Sequence, residues 1–265
     1  MPVNIIVTAK QVIDPETPAS ALKVDGQGKR METPANVPPV INGFDENAVE
    51  AALRLKDAQG GKVTVISVGK SFVLDVIKKP LSMGCDELIL IQDDNALTFD
   101  AYATAQVLAA AIKKVGQWDL ILCGRQASDF DQAQVPLGLA ELLKLPCVTI
   151  AQKVEVKNGQ VTVQRVVPDG TEVVEAPLPA LVTISNELGQ PRYPTLRGIM
   201  AASRKQPTQW KLADLGLNAS ALAPRVEVVQ VFIPAKQKVV EMIGGENDEE
   251  KGWNLARKLR EAKLI

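Results

Sequence analysis

Cys123-Gly124-Arg125-Gln126-Ala127-Ser128-Asp129-Phe130-Asp131-Gln132-Ala133-Gln134-Val135-Pro136 is the stretch on which the reading of this chain turns. Before it runs Leu120-Ile121-Leu122, apolar without alternation, as in a strand buried on both faces of a parallel sheet. After it, residues 136–144 carry a helical pattern that opens on proline. Proline loses nothing at the first helical position, because that N–H has no intrahelical partner anyway. The stretch therefore ends where free backbone N–H groups of residues 132–135 gather at a helix N-terminus, a setting suited to an anion and above all to a nucleotide phosphate. In open α/β sheets ligands collect beyond the carboxyl ends of strands. A plain strand-to-helix connection, with Asp129 and Asp131 capping the helix, accounts for the same residues without a ligand.

Toward the N-terminus, strands and helices alternate. Residues 99–115 form the most regular helical pattern, with Thr104, Leu108, Ala111, Ile112 and Val115 on one stripe. A strand at 87–91 precedes it, then a helix at 72–83 that Pro80 should end or kink. A strand at 62–68 follows Gly60-Gly61. Asn42-Gly43-Phe44-Asp45 leads into a helix whose apolar face is Ala48, Ala51, Ala52 and Leu55. Glu46, Glu50, Arg54 and Lys56 lie off that face, and Asp45 reads as a cap. Residues 20–42 read as short strand pieces, and residues 3–9 as the first, central strand. This alternation predicts an α/β protein with a doubly wound parallel sheet. No G-x-G-x-x-G follows any strand, and Gly69-Lys70-Ser71 fails as a P-loop because Thr64 stands where glycine is needed.

Toward the C-terminus, Asn158-Gly159 between two β-branched runs predicts a hairpin, 148–156 with 161–167. Asp169-Gly170 makes a second turn, residues 180–185 another strand, and 186–200 an exposed loop of the kind that often carries function. Residues 204–237 are mixed and punctuated by prolines, and a last helix spans about 251–262.

Composition narrows the chemistry. The 265 residues carry a net charge of −1, which gives no electrostatic reason for nucleic acid or an anionic membrane as partner. There is no histidine, so Ser-His-Asp and Cys-His catalysis and imidazole metal sites are excluded. Cys85, Cys123 and Cys147 are scattered without C-x-x-C, and read as buried small residues in a reducing compartment. No stretch is long enough to span a bilayer, and residues 2–9 lack the charged leader of a signal peptide, so a cytoplasmic protein without membrane insertion is expected.

Four motifs in order resemble the β subunit of electron transfer flavoproteins. The most specific is Val163-x-Arg165-x-x-Pro168-Asp169-Gly170-x-Glu172-x-Val174-x4-Pro179-x-Leu181-Val182-Thr183, similar to the family signature except that Pro168 stands where an acid is usual. Pro191-Arg192-Tyr193-Pro194-Thr195-Leu196-Arg197-Gly198-Ile199-Met200 is similar to the family's partner-recognition loop. Asn42-x-x-Asp45-x-x-Ala48-x-Glu50-x-Ala52 and Gly124-Arg125-Gln126-Ala127 also fit. The resemblance implies an adenine-nucleotide-binding, flavodoxin- or Rossmann-like domain over 1–205, which includes the hairpin extension (147–185) and the recognition loop (186–200). It also implies a C-terminal arm over 206–265 packing on an α subunit that holds most of the FAD. Such a chain is an electron carrier, not a stand-alone enzyme, shuttling electrons from acyl-CoA-type dehydrogenases to a membrane quinone oxidoreductase. By matched position, Thr8, Asn42, Gly43, Phe44, Asp45, Val68, Gly124, Arg125, Gln126, Ala127, Asp129, Asp131, Gln132, Ala133, Gln134 and Val135 would hold the nucleotide. Leu196, with Tyr193 and Met200, would dock the partner dehydrogenase.

Family members hold either a structural AMP or, in electron-bifurcating members, a second FAD in this subunit. Asp45 and Asp129-x-Asp131-x-Ala133-Gln134-Val135 look like the bifurcating branch, whereas Phe130, Gln132 and Pro136 replace small or hydroxylated residues. The reading leans to AMP, with a second FAD as the alternative. A universal-stress-like nucleotide sensor shares the sheet but leaves 147–205 unexplained, and a self-sufficient dehydrogenase lacks a visible acid–base pair.

Overall fold

Successive side chains of a strand leave opposite faces. Ile5 and Val7 therefore enter one hydrophobic cluster and Ile6 another, all at most 1% exposed. This splitting of a short apolar run between two cores organises the molecule. The computed structural model describes residues 1–32, 34, 36–234 and 240–265. In chain order the elements are β1 (Ile5–Thr8), β2 (Gln11–Val12), β3 (Lys23–Val24), β4 (Met31–Glu32), β5 (Val40–Ile41) and α1 (Gly43–Gln59). Next come β6 (Val63–Gly69), α2 (Leu74–Ile77), α3 (Lys79–Met83), β7 (Glu87–Gln92), α4 (Ala101–Val115), β8 (Leu120–Gly124) and α5 (Gln134–Leu143). The chain continues with β9 (Cys147–Lys157), β10 (Gln160–Val167), β11 (Gly170–Pro177), β12 (Ala180–Ile184), α6 (Leu196–Arg204), β13 (Thr208–Trp210) and α7 (Asp248–Glu261).

Among the described residues one sheet runs β11-β10-β9-β12-β8-β1-β6-β7-β13, with β1 near its centre as the sequence predicts. From β9 to β13 every neighbouring pair is parallel, and only β10 is antiparallel to its neighbours β9 and β11. β9 is shared: its first residues pair with β12 and its later ones with β10, across an irregularity where Ile150 takes φ 61°. The predicted hairpin is thus a continuation of the main sheet. One face of the sheet buries the apolar side of α1 with α2 and α3, and the other buries α4 and α5. Each fully buried Leu or Ile in these layers, such as Leu53 and Ile112, contributes roughly 1.5–3 kcal/mol. The fold is the doubly wound α/β sheet that alternation predicts.

Several local expectations change. Residues 72–83 form two short helices, and Pro80 falls in the first turn of the second, where its missing N–H costs nothing. α5 begins at Gln134 after an Ala133 cap at φ 55°, so Pro136 is its third residue rather than its first. Residues 196–200, expected in a loop, belong to α6, whose Thr195 cap accepts a hydrogen bond from the Gly198 N–H. The two prolines before it only mark its start. Beyond residue 205, Thr208–Trp210 pairs in parallel with β7 at the sheet edge.

Contacts divide the chain into two units, Met1–Val231 and Phe232–Ile265. The second unit contains α7, capped by Asn247, which accepts from the Glu250 N–H; none of its residues is buried and Trp253 is 74% exposed.

Candidate functional site

The chain leaves β1 for β6 and β7 on one side, then returns through β8 on the other. Connections on either side of such a reversal diverge, which opens a crevice beyond the strand ends. Here it lies between β1 and β8, where Val7 pairs with Leu122. Thr8 ends β1 at the rim. Burial pushes the thiols of Cys85 and Cys123 up to about 12, so both are neutral side chains without nucleophilic character.

The N-terminus of α1 packs against the end of β8 and lines this crevice. Gly124 permits the approach: a methyl group there would lie 2.8 Å from both the Asp45 nitrogen and the Phe44 carbonyl carbon, and would overlap an Asp45 carboxylate oxygen. Asn42 is 1% exposed, and its side chain donates to the Gln126 carbonyl (2.8 Å) and accepts from the Ser128 N–H (3.2 Å). Its own N–H donates to the Lys10 carbonyl at 2.9 Å. Asp45 does not cap its helix. Its carboxylate accepts the N–H of Lys10 (2.8 Å) and that of Gly124 (3.2 Å), one from each strand end, and so staples the two together. Spacing in the sequence could not reveal this, because both donors are distant along the chain.

Asp129 and Asp131 are not caps either. Asp129 pairs with Lys10 at 2.6 Å, and Asp131 accepts from the Gln126 amide at 2.9 Å. Asp131 and Ala133 both take positive φ, 49° and 55°, curling the backbone ahead of α5. The N–H groups of Gln132, Ala133, Gln134 and Val135 have no acceptor among the described residues. Phe130 is 55% exposed, with the Lys10 ammonium 5.4 Å from its ring centre. The Arg125 guanidinium stacks 4.8 Å from the Phe44 ring centre and donates to the Ser185 hydroxyl at 3.2 Å.

Buried polar atoms left unpaired cost about 1–3 kcal/mol each. Ser67 Oγ, Arg125 Nε and Ser128 Oγ are such atoms, and all three belong to the carboxyl ends of β6 and β8 or the loop beyond. Together with the open N–H groups before α5, they fit a polar ligand with an anionic group. Thr8, Asn42–Asp45 and residues 124–131 are therefore brought together by direct bonds or neighbouring strands. Gly43 has open space where a side chain would be. Val68 lies within the end of β6, part-buried against the α4 side, and Ala127 supplies its carbonyl to the Phe130 and Asp131 N–H groups. Sequence reasoning missed Lys10, Ser67 and Ser185. Lys10 had a signal, since it follows directly on a buried strand's carboxyl end.

Burial pushes the Asp45 carboxyl up to about 7, against the N–H donors of Lys10 and Gly124 and the Asn42 side chain, which favour its charge. A folded-state value above the unfolded one stabilises the fold below about pH 4, and that contribution is lost as pH rises toward 7. Thermal melts of the wild type should thus show a component falling between these pH values, and Asp45→Asn should remove that component. An identical pH profile for the variant would assign the titration elsewhere.

A second exposed feature lies on α6. Leu196 is 76% exposed and Ile199 and Met200 about half, so apolar side chains project from its first turns, and Tyr193 just ahead of it is 88% exposed.

The electron transfer flavoprotein domain family matches residues 34–215. The chain is 38% identical over 270 residues to the electron transfer flavoprotein subunit beta of Thermoanaerobacterium thermosaccharolyticum, covering 99% of this chain and all of that one. It is 38% identical over 266 residues to the Caffeyl-CoA reductase-Etf complex subunit CarD of Acetobacterium woodii, with the same coverage. It is 37% identical over 261 residues to the Megasphaera elsdenii electron transfer flavoprotein subunit beta, covering 93% of each.

Proposed function

Because the chain belongs to the electron transfer flavoprotein β-subunit family, we propose that its switch-point crevice holds an AMP that helps assemble it with a flavin-bearing α subunit. The observation that carries this reading is the set of unpaired polar groups there: Ser67 Oγ, Arg125 Nε, Ser128 Oγ and the N–H groups of 132–135. The N–H groups ahead of α5 suit the phosphate. Asn42 and Asp45 hold the loop and the strand ends in register around it. The FAD at the heterodimer supplies the electron chemistry, while the protein sets its surroundings. Electrons would come from acyl-CoA-type dehydrogenases and leave toward a membrane quinone oxidoreductase.

A second FAD in the crevice is the other reading, as in a bifurcating flavoprotein. Asp45 and Asp129-x-Asp131-x-Ala133-Gln134-Val135, which resemble the bifurcating branch, favour it. Co-expression with the α subunit and gentle purification decide between the two. One flavin and one AMP per heterodimer support the first reading, two flavins without AMP the second. A fully assembled heterodimer with an empty β crevice would overturn both.

Docking of the dehydrogenase is assigned to α6. Leu196→Ala should leave flavin content and melting unchanged, since the side chain is exposed and surface changes usually fall within about 0.5 kcal/mol. It should weaken reduction by the dehydrogenase at limiting heterodimer by roughly tenfold or more, the loss expected for an interface anchor. Unaltered reduction kinetics would place docking elsewhere.

A further inference from the structure

Glu50 was expected off the apolar face of α1, yet it is 4% exposed. What covers it is Arg192, 142 residues away. Glu50 accepts from the Arg192 backbone N–H (3.1 Å) and Nε (2.8 Å), with a longer bond from Nη2 (3.4 Å). It also accepts from Arg54 Nε at 2.8 Å, and Arg192 Nη1 pairs with Asp57 at 2.9 Å. Burial works against the charge on Glu50, but the hydrogen bonds from Arg192 and Arg54 outweigh it and hold the carboxyl below its usual range.

The same helix face grips the preceding residues. Asn47, 6% exposed, donates to the Gly189 carbonyl at 2.8 Å, and Arg54 Nη1 donates to the Leu188 carbonyl at 3.2 Å. Positions 47, 50 and 54 share one side of a helix, so α1 holds the 188–192 backbone at successive points. On the far side of the exposed residues, Gly198 lies against the Ser82 carbonyl of α3. Tyr193 to Leu196 thus span the gap between two fixed supports. Among the described residues, the one backbone N–H of residues 190–197 with an acceptor is that of Arg192, bonded to Glu50. The direction in which Leu196 projects depends on those supports.

We propose that Glu50 and Arg192 are a positioning pair, which sets the stance of Tyr193 and Leu196 toward the partner dehydrogenase. The inference rests on the reading that Leu196 docks that partner. Neither residue touches the partner or the flavin in this scheme. They act through the span they hold, and α1 thereby ties the docking span to the nucleotide crevice that its own N-terminus lines.

The test uses the full heterodimer with the acyl-CoA dehydrogenase of the same organism and its acyl-CoA, at varied heterodimer concentration. Glu50→Gln keeps the shape of the side chain but not its charge, and should raise KM about tenfold with kcat within about twofold and flavin content unchanged, as for a misplaced contact. In Leu196→Ala the same change should add little, because both variants remove one docking contact. Arg192→Gln, at a half-buried position, should reproduce the result and carries the test if Glu50→Gln does not assemble. KM effects that multiply with those of Leu196→Ala, or a fall in kcat at unchanged KM, would overturn the pair's positioning role. If Leu196→Ala raises KM and neither pair variant does, the positioning role alone falls. If Leu196→Ala also leaves KM unchanged, the docking reading falls and takes the pair with it.

Discussion

Gly124→Ala should strip the nucleotide from the purified heterodimer while the sheet survives. The added methyl would meet the Asp45 nitrogen and the Phe44 carbonyl carbon, both 2.8 Å away, where backbone rather than a flexible side-chain end must yield. Overpacking of this kind costs about 1–3 kcal/mol. The strain would be relieved by lifting the first turn of α1 from the end of β8. That movement breaks the Asp45 bonds to Lys10 and Gly124 and the Asn42 bonds to Gln126 and Ser128. Nucleotide released by acid denaturation should fall at least tenfold, about 1.4 kcal/mol of affinity or more. Full occupancy in the variant would mean that the ligand does not depend on the junction of α1 with β8.

Much of this junction was visible in the sequence, though not its wiring. Parallel strands buried on both faces read as short apolar runs, and the helices between them show their stripe, so the doubly wound sheet follows from periodicity. The hairpin follows from Asn158-Gly159, with Asn158 at φ 53° and Gly159 at φ 76°, the backbone such a turn needs. Three kinds of feature did not follow. A helix entered through tight turns hides its first residues, as α5 does behind Ala133 and α6 behind Pro191 and Pro194. A charge that looks solvated on a helical wheel can be buried by a distant segment, as Glu50 is by Arg192. A carboxylate that looks like a cap can instead join two strand ends, as Asp45 does. Each depends on residues far apart in sequence, which local pattern does not record.

The site residues divide in the same way. Thr8, Asn42, Asp45 and Gly124 are candidates already in the sequence, because strand ends and matched motifs mark them. Ser67 carries no local signal. It stands out only because its hydroxyl is buried without a partner, a property of the folded chain. The division has a physical basis, since backbone geometry is written locally while the satisfaction of polar groups is settled by tertiary packing.

The largest effect on the docking face should come from a residue that never meets the partner. Gly198 lies in the first turn of α6, and a methyl group there would overlap the Ser82 carbonyl oxygen and come within 3.3 Å of its carbon. Its backbone is ordinary helix, so alanine would raise local helix propensity by about 1 kcal/mol, and the conflict is purely one of space. The Ser82 carbonyl sits in α3, between Leu81 and Met83 of the core, and will not move far. α6 must therefore shift outward and carry Leu196, Ile199 and Met200 with it. A displacement near 1 Å at a binding or reacting contact can cost about a hundredfold. Gly198→Ala should thus lower kcat/KM for reduction by the dehydrogenase more than Leu196→Ala does, since it misplaces the whole apolar face rather than deleting one side chain. Flavin and nucleotide content should stay at wild-type levels, because the displaced residues are those of α6, none of which is a candidate nucleotide-site residue. A variant that accepts electrons as well as the wild type would show that the partner reads this face loosely, and the close packing of α6 on α3 would then serve stability alone.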